Sequence, residues 1–106
     1  MKKMRLSEMK GGWFIGDFSP VCLRTKGVEA ACKAYKAGDK EGRHVHRIAT
    51  EITVIAKGKA KMNGETFCEG DIVFLSPGDA TDFEALEDTV TMVVKMPSVI
   101  GDKYPA

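Results

Sequence analysis

His44 and His46 are the two histidines of this chain; they stand two residues apart, and Glu51 follows five residues after His46. Side chains at i and i+2 of a strand point to one face and lie close enough to converge on a single ion, whereas a helix would splay them. The segment Arg47-Ile48-Ala49-Thr50 is long enough to reverse the chain. Glu51 is therefore expected to open an antiparallel neighbouring strand with its carboxylate turned to the same interior. Imidazole nitrogen and carboxylate oxygen suit Fe(II), Mn(II), Ni(II), Co(II) or Zn(II), and a two-histidine, one-carboxylate set leaves coordination positions open for water or substrate. His44, His46 and Glu51 are thus candidate ligands of a divalent transition metal. Imidazole binds metal only when neutral, so affinity should fall as pH drops below about 6.

The elements that must hold these residues read as short strands between tight turns. No window sustains a helical period, while two-residue alternation and β-branched runs recur between glycine-containing turns. Strands are expected over 13–15, 28–36, 44–46, 51–57, 59–62, 66–68, 72–75, 81–86 and 89–95. Asn63-Gly64 is the clearest hairpin signal, since both residues tolerate the positive φ of a type I′ turn. Many short strands of this kind argue for a sandwich or closed barrel.

Read as G-x5-H-x-H-x4-E-x6-G, the residues Gly38, His44, His46, Glu51 and Gly58 resemble the first motif of the cupin superfamily, spacing included. The second cupin motif, roughly G-x5-P-x-G-x2-H-x3-N, is partly present in residues 70–81. Gly70 and Gly78 are kept, Ser76 stands at the usual proline with Pro77 beside it, and Thr81 stands where the third metal-binding histidine would be. The resemblance spans residues 38 to about 85. It implies an all-β double-stranded β-helix, the jelly-roll or cupin barrel, as a single domain over 1–106 with an N-terminal arm (1–27) and a C-terminal tail (96–106). It also implies a metal site one ligand short of the family pattern, holding its ion weakly. If the strand after Pro77-Gly78 alternates normally, Thr81, Phe83 and Ala85 face in, and Asp82 and Glu84 face water, leaving Asp82 a poor substitute ligand.

A length of 106 residues suits one core. The net charge of +1 gives no global electrostatic case for nucleic acid. The start Met1-Lys2-Lys3-Met4-Arg5 lacks the apolar run of a signal peptide, and no stretch is long enough to span a membrane. The expected setting is the cytoplasm. There Cys22, Cys32 and Cys68, an odd number at wide spacing, read as reduced and mostly buried thiols; an inward-facing Cys32 or Cys68 serving as a soft ligand is the sharper alternative.

Around Glu51, Ile52, Val54 and Ala56 fall on the outer face of their strand, and the runs 72–75 and 90–94 are apolar on both faces. Sheets with two apolar faces need cover on both, which predicts a homodimer packed through the outer faces or by exchange of the strand around Trp13; cover by the chain's own arms is the alternative. Arg43 and Arg47, one position off the ligand parity, should be rim charges, able to meet a carboxylate or phosphate only by folding over the mouth. Phe67, Phe74, Phe83 and Met92 read as core, Trp13 as a packing anchor, and the segment 97–105 as too irregular for a strand.

Two classes of function follow. The cupins that this chain resembles include dioxygenases, isomerases and epimerases of sugars or small acids, in which a metal polarises a substrate oxygen. Beyond the ligands, only Tyr35 and Tyr104 offer themselves as an acid or base. The second class is a non-catalytic cupin that closes over a sugar or small metabolite, its histidines serving as hydrogen-bonding groups or holding a structural ion.

Overall fold

The computed structural model describes residues 1–106. After two short 3-10 turns (Leu6–Glu8 and Lys10–Gly12), eleven strands follow: β1 (Trp13–Gly16), β2 (Leu23–Arg24), β3 (Glu29–Tyr35), β4 (Lys40–Val45), β5 (Thr50–Lys57), β6 (Lys59–Met62), β7 (Glu65–Cys68), β8 (Ile72–Leu75), β9 (Ala80–Ala85), β10 (Thr89–Met96) and β11 (Tyr104–Pro105). They form two facing sheets, of order β2-β1-β3-β10-β5-β8 and β11-β4-β9-β6-β7. Apart from the parallel β1–β2 pair, neighbours run antiparallel. No helix is long and apolar enough to cross a membrane.

Alternation sets the faces as the sequence implies. On β9, Thr81, Phe83 and Ala85 are buried; on β5, Thr53 and Ile55 are buried beyond Glu51. At one end of the sandwich Ile55, Ala60, Met62, Phe83 and Ala85 form the apolar core, with Tyr35, Phe67 and Val73 packed against it. Burial of side chains such as Ile55 and Phe83 contributes about 1.5–3 kcal/mol each. Moving along β5 from Ile55 to Glu51, and along β9 from Ala85 to Thr81, the interior turns polar.

Turns act where the sequence places them. Asn63 and Gly64 both take positive φ (50° and 79°) between the paired β6 and β7. Gly58, at φ 91°, lies so close to the Asp88 carbonyl that a Cβ there would meet it at 2.4 Å.

Several expectations are corrected. β4 and β5 are not hydrogen-bonded neighbours: β4 lies between β11 and β9, and β5 between β10 and β8. With both edges of each strand occupied, residues 46–49 carry the chain from one sheet to the other. The tail is not wholly irregular, because Tyr104 and Pro105 pair with Val45 and His44 as an edge strand. The thiols are free, but Cys22 and Cys68 are exposed. Cys32 pairs with Met92 on the outer face, so no cysteine enters the interior polar cluster. Phe74, at 63% exposure, is not core, because it shares the outward parity of Ile72 on β8. Trp13 does anchor its strand: β1 pairs with β3 of its own chain, and the Lys33 and Lys95 ammonium groups lie 5.3 and 5.5 Å from the indole centre.

Candidate metal centre

His44 and His46 leave one sheet and Glu51 enters from the other, and the three side chains converge between them. One ligand atom from each lies within 4.8 Å of the others, which is close enough to hold a metal. His46 Nε2 and Glu51 Oε2 are 3.2 Å apart. Two donors each about 2.1 Å from one ion, at octahedral or tetrahedral angles, are about 3.0–3.4 Å apart, so this pair already has the spacing of a shared ion. From separations of up to 4.8 Å the rest of the set would have to close by about 1.4–1.8 Å, a shift that side-chain rotation of the half-buried His44 can supply.

Backbone carbonyls fix both tautomers. His44 Nδ1 lies 2.8 Å from the Gly42 oxygen, and His46 Nδ1 contacts the Asp102 oxygen. A carbonyl oxygen only accepts, so each Nδ1 carries the proton and donates, which leaves each Nε2 lone pair for a metal. The hydrogen bond that His46 donates to Glu51 raises the His46 pKa above its ordinary value, assisted by the Asp102 carbonyl and opposed by burial and Lys95. Burial pushes Glu51 upward, but the His46 hydrogen bond and charge, together with Lys95 and His44, outweigh it and hold the carboxyl below its usual range. Each group thus favours the charged form of the other across their 3.2 Å contact.

Local structure holds this geometry from three sides. The Gly78 N–H of the Pro77-Gly78 turn donates to the His46 carbonyl (2.8 Å). Thr81 is the direct register partner of His44 across β4 and β9, is buried, and donates its hydroxyl to the Asp82 carbonyl (2.8 Å). Asp82 turns outward to accept the Asn63 N–H (2.7 Å). The third side is Asp102, which sequence reasoning did not single out: its signal is a contact across more than fifty residues, not a local pattern.

Arg43 and Arg47 are rim residues, Arg43 donating to Asn63 Oδ1 (2.7 Å) and Arg47 lying 3.9 Å over the Tyr104 ring. Tyr104 is thereby engaged outside, whereas Tyr35 lines a cavity of about 30 Å³ beside the cluster, together with Lys33, Glu41, Thr53 and Thr91. Lys33 and Glu41 pair across this interior at 3.2 Å. Both were missed in the sequence; the parity of Lys33 with Ala31 and Tyr35 on β3 was the available signal. Burial, followed by the charges of Glu41 and Glu51, raises the Tyr35 pKa and keeps its hydroxyl protonated. A larger open groove of about 360 Å³, lined mainly by charged residues, adjoins through Glu41, Asp82 and Phe83 but does not include the cluster.

No family model matches the sequence, and comparison with curated proteins finds no match. Solved structures do match. A conserved protein with a double-stranded β-helix domain from Klebsiella pneumoniae superimposes with a TM-score of 0.67 at 21% identity over 73% of this chain and 69% of its own. KdgF from Halomonas sp. gives 0.64 at 21% identity over 71% and 74%. A sugar phosphate isomerase from a cupin superfamily, of Silicibacter pomeroyi, gives 0.63 at 17% identity over 68% and 52%. Two facing sheets with the topology above and these superpositions together establish that the chain has the double-stranded β-helix fold of the cupins.

Proposed function

We propose that this chain is a small metal-binding cupin whose ion, held by His44, His46 and Glu51, binds an oxygen-bearing small molecule such as a sugar or small acid and acts on it. The observation that carries this reading is the convergence of two imidazoles and one carboxylate from opposite sheets. When bound, a divalent ion with open positions polarises a ligand oxygen. The chain's own groups suit such a ligand. Tyr35 presents a protonated hydroxyl, Lys33 and Glu41 form a paired donor and acceptor, and Thr91 Oγ1 is buried beside the cavity with no hydrogen-bond partner. The cavity has room for about two waters, so the ligand is small or reaches the ion from the open side. The sugar phosphate isomerase neighbour acts within this same fold, which supports a related substrate class here.

A second reading, a non-catalytic cupin with a degenerate site, is favoured by one observation: at 3.2 Å, His46 Nε2 and Glu51 Oε2 are close enough to hydrogen-bond each other directly. Metal analysis of protein purified without chelator separates the two. Near-stoichiometric Fe, Mn, Ni, Co or Zn, lost in His44→Ala and His46→Ala, is the expected result. Absence of metal even after reconstitution would leave the degenerate reading standing.

The outer face of the six-stranded sheet supports a homodimer. The pairs Ile52–Phe74, Val54–Ile72, Val54–Met92 and Ile52–Val94 make a continuous uncharged surface, with Cys32 and Ala34 beyond it. A second copy presenting the same face is its natural cover.

A further inference from the structure

Asp102 is only 3% exposed, although the sequence around it shows no periodic pattern. Its carboxylate accepts three consecutive backbone N–H groups: Oδ1 from Arg47 (2.8 Å) and Ile48 (3.2 Å), Oδ2 from Ile48 (3.1 Å) and Ala49 (2.9 Å). These are the residues that carry the chain from the histidine sheet to the glutamate sheet. The backbone carbonyl of the same residue accepts the His46 Nδ1 proton. One residue, more than fifty positions away, thus sets both the ring orientation of His46 and the path from His46 to Glu51. Beyond it, β11 closes onto β4 and the Arg47 guanidinium covers Tyr104.

We propose that Asp102 is the positioning residue of the metal centre and that docking of segment 102–105 is coupled to metal binding. The inference rests on the ligand assignment proposed above. Removing the segment would free the His46 ring to rotate and leave three amides without their acceptor, so the ligand set would no longer be preorganised. Linkage makes the effect reciprocal: an ion that fixes His46 and Glu51 tightens the docking of the segment by the same factor.

Ni(II) affinity of the full chain and of Asp102→Asn, measured by titration calorimetry, tests the coupling. It is read beside hydrogen exchange of the Arg47, Ile48 and Ala49 amides with and without Ni(II), and the His46 tautomer by nitrogen NMR. Asn keeps the shape but turns an amide N–H₂ toward backbone donors, so a loss of about tenfold or more in affinity is expected. At a pH high enough to leave His46 neutral, the metal-free wild type should carry its proton at Nδ1 and the variant should show mixed tautomers, and Ni(II) should slow exchange at the three amides. A folded Asp102→Asn with wild-type affinity overturns the inference alone. If the variant does not fold, exchange in the wild type decides: no slowing by bound Ni(II) overturns the inference. A wild type that binds no Ni(II) overturns the ligand assignment and the coupling with it.

Discussion

At the scale of single residues, the centre is defined by where protons sit. Two carbonyls hold Nδ1 protonated on His44 and His46, so an ion held as proposed would compete with a proton for Nε2 alone. On His46 that proton is favoured by Glu51. The same pair therefore gives opposite pH trends with and without metal. In the metal-free protein, His46 has a raised folded pKa. Its contribution to stability is full below the unfolded value near 6.5 and is lost as pH rises through the folded value. Glu51, lowered from 4.5, contributes above its unfolded value and loses that contribution as pH falls through its folded value. The metal-free fold should melt highest in the mildly acidic range between them. On the proposed assignment an ion would displace the His46 Nε2 proton, so Ni(II) affinity should instead climb from pH 6 to pH 8, by about tenfold or more. The raised pKa moves this competition upward from the pH 6 expected of an unperturbed histidine. Titrations at pH 6, 7 and 8 and melting curves without metal check both trends; equal Ni(II) affinity at pH 6 and 8 would remove the histidines as ligands.

At the scale of elements, register decides which side chains can join the set. β4 and β9 pair His44 directly with Thr81, and partners in such pairs have Cβ atoms about 4.5–5.5 Å apart on the same face. Thr81→His should therefore bring a third imidazole to the ion, raising Ni(II) affinity about tenfold or more and lifting the melting temperature in its presence. A folded variant with no gain in affinity, measured by calorimetry and melting with and without Ni(II), would show that position 81 does not reach the ion. Period-two patterning made this much legible before any coordinates: the inward sides of β5 and β9, the Asn63-Gly64 turn and the shared face of His44 and His46 all follow from alternation and turn chemistry. Alternation states a residue's face but not its sheet. Residues 46–49 therefore have the pattern of a simple reversal, although the two strands they join belong to different layers. Asp102 and β11 were illegible for a related reason, since a single carboxylate capping distant amides leaves no periodic trace.

At the scale of the whole molecule, the imbalance between faces is the feature that demands an explanation. The interior spends much of its volume on threonines, a histidine and paired charges, and 18 of 106 residues are buried, while Ile72 and Phe74 stand 64% and 63% exposed on the opposite face of the sheet. Covering these two in each of two copies would contribute about 4–8 kcal/mol, against an association cost of at least about 4 kcal/mol and often far more. The half-buried Ile52, Val54, Met92 and Val94 must therefore share the interface for the dimer to be stable. Such an interface would be two-fold and self-complementary, because the face carries no charge to oppose its own copy. Light scattering after size exclusion should give twice the 11.6 kDa of one chain. Phe74→Glu, which places a carboxylate at the centre of that face and touches nothing in the interior, should give a folded monomer with unchanged Ni(II) binding. A wild type that is monomeric across the micromolar range would mean that the apolar face is left to solvent, and the dimer would have to be given up.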